Sequence, residues 1–395
     1  MRLCLRFFLC CCALLLAAGT AFAQPTQNPA LNAPDQIAWT LFIQANNRAG
    51  GTNSTFETWA SDTATFTLNP GPFLAAPTPP SLRQPILPVI ARQGAQAAGI
   101  LVPALPPGAS QGQMEETRRN KSAYDFIVQN NLFKVTGLQA AFGKTLVFPV
   151  DAIEIKANWV PVSNIPMFTN NRVTIAQVPQ LYHVNSDSSG TPYALVAMHV
   201  ISKLVPNWTW ATFEHKFNPN RCDILGCKDS FGAQTAFVPP NGTGQGYPDC
   251  TKTPALTAML NSANIDPVYA NYCLKASQVD FIDNQGLDVR VGNSVTEDPF
   301  VATASCMTCH SRANFDQTGA ATSQAGFLSF GPNGPVGPLG PILPEWYFSG
   351  GQPPVFVGQP GLTRTATSAD FVWSIPFCAI DDTQNPPGGS NCAGK

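Results

Sequence analysis

The chain has 395 residues, a formal net charge of −2, only 12% charged residues and 37 prolines. A charged share about half the usual one leaves no basic surface for nucleic acid, and so much proline points to a loop-rich chain with little long helix. The length suits one large or two ordinary domains.

At the N-terminus Arg2 and Arg6 precede an apolar run from Phe7 to Ala18, and Ala21-Phe22-Ala23 has the small-x-small pattern of a cleavage site. The expectation is a leader over residues 1–23 and an exported mature chain, periplasmic or secreted, from Gln24. The apolar run is too short to span a bilayer. No later segment is apolar enough over a sufficient length, and no Cys sits at the cleavage point, so neither a stable membrane span nor a lipid anchor is expected. Losing Arg2 and Arg6 takes the net charge from −2 to −4.

Residues 24–34 read as a polar, Pro-rich lead-in, and Asp35 as the N-cap of an amphipathic helix to Asn47 with Ile37, Leu41 and Ala45 on one face. Phe56 to Ala60 suggests a short helix, residues 69–112 a long Pro/Gly loop, and Gln113 to Asn131 a second helix. The middle of the chain is β. Phe148 to Val160 alternates, with Ile153, Ile155, Ala157 and Trp159 on one side and Glu154, Lys156 and Asn158 on the other. Gln180 to Val184, Tyr193 to Lys203 and Trp208 to Phe217 follow as strands around the turn at residues 185–190. Together they predict an antiparallel meander over 150–217. A Gly/Pro/Cys-rich loop (218–252), a short helix from Thr253 to Ser262 and a Gly/Pro loop (330–360) complete the pass. The predicted class is α+β, an antiparallel β meander core with short helices, long Pro/Gly-rich loops and a C-terminal attachment segment. The expected division is 24–300 for the α+β region and 301–395 for the attachment region.

That segment carries Cys306-Met307-Thr308-Cys309-His310. Two cysteines separated by two residues and followed at once by histidine is the attachment pattern of a c-type haem. Residues three apart share a side of a helical turn, so both thiols can reach one porphyrin edge and His310 can take the iron as proximal ligand. A structural disulfide, a thioredoxin-like pair and half of a zinc site are the alternatives. Zinc wants a second matched pair, and Cys222 and Cys227 are spaced too loosely. A thioredoxin-like pair wants a strand before it and a long helix after it, where this chain has Gly/Pro-rich sequence. The helix carrying the motif is expected from Thr303 to Asn314.

Of twelve cysteines, Cys4, Cys10, Cys11 and Cys12 lie in the leader. Beyond the haem pair, six remain, and an even number in an oxidising compartment suggests three disulfides. Neighbour pairing gives Cys222–Cys227, Cys250–Cys273 and Cys378–Cys392, one of fifteen connectivities open to six cysteines.

After His310 the chain has no Met and no other His. A Met or His ligand on the second face of the haem must therefore come from upstream. The candidates are Met114, Met167, Met198, Met259, His183, His199 and His215. Met198 and His199 are adjacent on one strand and must point to opposite faces, so His199 is the first choice, Met198 the second and His215, beside Glu214, the third. A Met on an apolar strand more often fills a core, and a His in a sheet is more often hydrogen-bonded structure.

Trp39-Thr40-Leu41-Phe42-Ile43, Phe56-Glu57-Thr58-Trp59, His199-Val200-Ile201-Ser202-Lys203, Trp210-Ala211-Thr212-Phe213-Glu214-His215 and Ser305-Cys306-Met307-Thr308-Cys309-His310 occur in this order. Together they resemble a group of exported bacterial cytochrome c family proteins. The resemblance implies one covalent haem c and gives no substrate. The resulting expectation is a periplasmic monohaem protein that passes single electrons to a redox partner protein. A haem-dependent enzyme of peroxidase or oxidase type, or a haem sensor, is the alternative if the distal side is open.

Overall fold

The computed structural model describes residues 28–84, 112–242, 247–321, 330–331, 334–335, 340–351, 354–356, 358–390 and 392. The expected leader (1–23) and the larger part of the expected 69–112 loop lie outside them.

An antiparallel sheet of seven strands carries the fold. In chain order they are β1 (Ala60–Ser61), β2 (Met114–Arg119), β3 (Ile153–Pro161), β4 (Val184–Ser186), β5 (Pro192–Ser202), β6 (Thr209–His215) and β7 (Tyr272–Gln278). The spatial order is β7-β6-β5-β3-β2-β1, with β4 paired to the start of β5. The α+β class is therefore present, and β3, β5 and β6 stand at the segments expected to be strands. The meander is wider than its sequence signal, because β2 and β7 extend it on both sides.

One sheet face is apolar. Ile155, Ala157, Trp159, Met198, Val200, Phe213 and Leu274 pack against Trp39, Leu41 and Phe42 of α1 (Pro34–Asn46). Phe42 stacks on Phe213 with ring centroids 4.3 Å apart. A bulge at Val196, between the Asn158↔Ala197 and Trp159↔Leu195 pairs, exchanges the faces toward the start of β5. Leu195 thereby joins Met198 in the same cluster.

Several expectations are corrected. Asp35 is not the N-cap; Ala33 is, and Asp35 sits in the first turn, where its carboxylate accepts from the Ser230 N–H (2.7 Å) and the Ser277 hydroxyl (2.5 Å). The lead-in contains a short helix, Pro29–Asn32. Residues 178–181 form a helical turn, and the strand follows at Val184–Ser186. The largest departure is at 113–131. Met114–Arg119 is the strand β2, Asn120 turns the chain, and α2 (Lys121–Gln129) begins with the Asn120 side chain accepting from the Ala123 N–H. Met, Glu and Arg favour helix, but here every charged side chain finds a buried partner by alternating across the sheet. Glu116 and Arg118 face one side, where Arg118 donates to the carbonyls of Glu57 (2.8 Å) and Pro79 (2.8 Å). Glu115, Thr117 and Arg119 face the other.

Thr253 caps the helix α3 (Pro254–Ser262) as expected, accepting from the Leu256 N–H at 3.2 Å. Three disulfides join Cys222–Cys227, Cys250–Cys273 and Cys378–Cys392. The second ties the 218–252 loop to β7. No helix among the described residues is long and apolar enough to cross a membrane.

The second sheet face is mixed. At one end Ile201 and Trp210 share a core with Met307, Phe315, Val372 and Ile375 from the C-terminal segment. At its centre the face is polar, and there the chain leaves a cleft.

Candidate functional site

The helix α4 (Cys306–Ser311) is shorter than the expected Thr303–Asn314 and is seated by the last strand of the sheet. Gln278 of β7 accepts from the Met307 N–H (3.1 Å) and donates to the Ser305 hydroxyl (3.1 Å). Val291 bridges Ser305 in parallel. These contacts turn Met307 into the core. Cys306 and Cys309, on the same side of the turn, then face the cleft together with His310.

The cleft has about 1110 Å³ of empty space, counting its open mouth. The wall around α4 is largely apolar, built from Val291, Phe300, Ala304, Trp373 and Phe377. Trp373 donates its indole N–H to the Cys309 carbonyl (3.1 Å) and stacks on Phe377 with centroids 4.8 Å apart.

Both thiols are free. Burial pushes Cys306 well above the usual thiol range and Cys309 to about 11, despite the nearby Arg312 guanidinium. A redox-active or metal-binding pair needs thiolates held down by positive surroundings, so these neutral thiols do not suit a thioredoxin-like centre. Zinc is equally ill served. Among the described residues the one group of three His, Cys, Asp or Glu close enough to share an ion is Asp62, Cys378 and Cys392, and its cysteines are disulfide-bonded.

His310 is partly exposed, but to the cleft interior, and the surrounding protein desolvates it. That holds its imidazole down at about 4, against the pull of the Phe371 carbonyl. The ring leans on Trp210 with centroids 4.6 Å apart. Nδ1 lies 2.9 Å from the Phe371 carbonyl oxygen, so the proton sits on Nδ1 and the Nε2 lone pair is left free. Two neutral thiols on one helical face, a neutral imidazole with Nε2 available and an apolar wall fit a covalently held haem.

The sheet supplies a different wall. Cross-strand pairing aligns Thr117, Lys156 and His199 in one row, and Glu154 and Ile201 in the next. All five line the cleft, as do Glu115, Arg83 and Glu297. The charges are paired among themselves. Lys156 Nζ is 2.8 Å from Glu115, Arg83 Nε is 3.2 Å from the other oxygen of Glu115, and Arg83 also reaches Asp62.

His199 is 8% exposed, and its Nε2 lies 3.3 Å from the Glu297 carboxylate and 3.2 Å from Asn293 Nδ2. Burial raises the Glu297 carboxyl, but His199 and the Asn293 N–H outweigh it and leave the group ionised, below its usual range. His199 Nε2 thus faces both that carboxylate and the Asn293 amide, and its buried Nδ1 has no hydrogen-bond partner among the described residues.

Of the seven upstream Met and His candidates, His199 alone lines the cleft. Met198 lies on the opposite sheet face among the α1 contacts, with Asn46 Nδ2 3.7 Å from its sulfur, and fills the core. His215 is buried against Tyr182, with centroids 3.5 Å apart, and its Nε2 is 3.1 Å from the Leu181 carbonyl. His183 pairs with Glu57 at 3.0 Å. The residues that sequence reasoning missed are Arg83, Glu115, Glu297 and Trp373. Glu115 was hidden by the helix assignment, and the other three fall in segments with no periodicity to read.

No family model, curated protein or solved structure matches this chain.

Proposed function

We propose that the chain is an exported c-type haem protein that holds one haem c in this cleft and passes single electrons to a partner protein. In this reading Cys306 and Cys309 would hold the haem through thioethers, His310 Nε2 would ligate its iron, and His199 is the candidate for a second ligand. The observation that carries it is the convergence of two free thiols and the lone pair of His310 on one cleft. A haem bound there supplies one reversible electron per chain. The chain's own part is to fix both imidazoles, His310 through the Phe371 carbonyl and His199 through Glu297, and to keep bulk water off an apolar wall. Three disulfides support maturation in an oxidising compartment, as export requires.

A second reading, a haem-dependent enzyme or sensor with an open distal site, is favoured by the charged wall around His199. Arg83, Lys156 and Glu297 are more polar company than a bare electron carrier needs.

Carbon monoxide separates the two. If His199 ligates, the reduced wild-type spectrum stays unchanged on adding carbon monoxide, and His199→Ala acquires a shifted Soret band. A wild-type shift as large as the variant's would discard the six-coordinate carrier and leave the open-site reading.

A further inference from the structure

The backbone beside His310 is bent in a way that ordinary residues resist. Asp370 and Phe371 both have positive φ, 47° and 73°. A single Asp in the left-handed region is common enough, but a bulky Phe there is an outlier, and two in succession persist only where their surroundings over-determine them. The surroundings do so. The Asp370 carboxylate accepts from Lys203 Nζ at 2.5 Å and from the Phe148 N–H at 2.7 Å, and the Asp370 N–H donates to the Ser368 hydroxyl at 3.1 Å. Lys203 is tied in turn to the Pro206 carbonyl at 2.8 Å, and the pair is nearly closed to solvent, with side-chain exposures of 6% and 8%. On either side of the bend the Ala369 N–H donates to Ala313 and the Val372 N–H to Ala369. The product of the bend is one aimed atom, the Phe371 carbonyl oxygen, 2.9 Å from His310 Nδ1.

We infer that Lys203 and Asp370 form a brace whose task is to position His310. They are positioning residues, acting through the Phe371 carbonyl and touching no ligand themselves. The brace starts from the strand that carries His199: Lys203 follows directly on β5, four residues beyond it, and its N–H donates to the Ala152 carbonyl at 3.0 Å. Both imidazoles of the cleft are therefore referred to β5, one directly and one through a buried ion pair. This inference rests on the haem reading above. A hydrogen bond from Nδ1–H to a carbonyl makes an imidazole a stronger ligand, and loss of such outer contacts typically weakens metal binding about 10–100-fold. The stronger ligand favours the ferric over the ferrous state.

The test uses the full-length, periplasmically matured protein, as wild type, Lys203→Met, Lys203→Arg and Asp370→Asn. Covalent haem per chain is measured by pyridine haemochrome, and the midpoint potential by spectroelectrochemical titration. The expected result is unchanged haem content with a raised potential in Lys203→Met, about 59 mV for each tenfold loss of ferric over ferrous binding. Asp370→Asn, which keeps the shape of the side chain and tolerates the left-handed region, should give a smaller rise. Lys203→Arg should restore most of the wild-type value. Should Lys203→Met fail to accumulate, Asp370→Asn decides alone. Wild-type potentials in the loaded variants would overturn the brace and leave the haem reading standing. A wild type without covalent haem would overturn the haem reading first, and the brace with it.

Discussion

Cys306→Ala/Cys309→Ala, expressed with a maturation system and exported, is expected to lose covalent haem completely, while the wild type keeps its colour through acid-acetone extraction. The expectation follows from the state of the two thiols. They are free, neutral and side by side on one turn of α4, facing one cleft. The fold does not need them as a cross-link, because its three disulfides lie elsewhere. The double variant should therefore fold and export like the wild type, so that colour is lost without loss of protein. Single variants divide the effect. Each should retain a fraction of chains with one thioether, and His310→Ala should remove the candidate iron ligand while leaving both thiols available. A wild type that is colourless after proper maturation would return Cys306 and Cys309 to the status of an ordinary thiol pair and remove the basis for electron transfer.

What the sequence showed of this site and what it hid divide along a physical line. The Cys306–His310 cluster was legible because it is local: five consecutive residues supply both thiols and the imidazole that line the cleft. The sheet face behind it was partly legible, because β3 alternates strictly and so puts Glu154 and Lys156 on the side away from Ile155 and Ala157. The adjacency of Met198 and His199 likewise guaranteed one cleft-facing and one core-facing side chain, though only the structure shows that His199 faces the cleft. Nothing in the sequence marked β2. Its run Met114-Glu115-Glu116-Thr117-Arg118-Arg119 contains strong helix formers and no apolar alternation. What makes it a strand is a set of partners contributed by residues 57–83 and 154–156, distant contacts that no window of sequence contains. Glu297, Asp370 and Phe371 were hidden for the same reason, since each acts through long-range contacts.

Those partners also set the second large expectation. Arg119 is fully buried, and its guanidinium bonds four side chains. It reaches Asp62 at 2.5 Å, Glu154 on β3 at 3.2 Å, the Thr65 hydroxyl at 2.8 Å and the hydroxyl of Ser374, on the C-terminal side of the cleft, at 3.3 Å, with its carbon 5.2 Å over the Phe66 ring. Arg119→Met keeps much of the volume and removes the charge. Breaking a buried pair from one side costs about 3–5 kcal/mol, because the remaining charge is left without compensation. The two carboxylates will not suffer equally. Burial raises both, but Asp62 has two guanidiniums, Arg83 and Arg119, and ends below the usual carboxylate range. Glu154 has only Arg119, and burial wins there, leaving it raised. In the variant Asp62 keeps Arg83, whereas Glu154 keeps nothing and titrates higher still. The signs then follow from linkage. A depressed Asp62 contributes stability that is present above its unfolded value and fades as pH falls through its folded value. A raised Glu154 contributes stability that is present at low pH and is lost as pH rises through its folded value. The destabilisation of Arg119→Met, measured by guanidinium chloride unfolding with the disulfides intact, should therefore be larger near about pH 7 than near about pH 5. Adding Glu154→Gln should recover part of it near about pH 7, a coupling that a double-mutant cycle reads directly. An equal loss at both pH values, with no recovery in the double variant, would mean that Arg119 contributes packing alone and that the charged wall of the cleft is not held by its ion pairs.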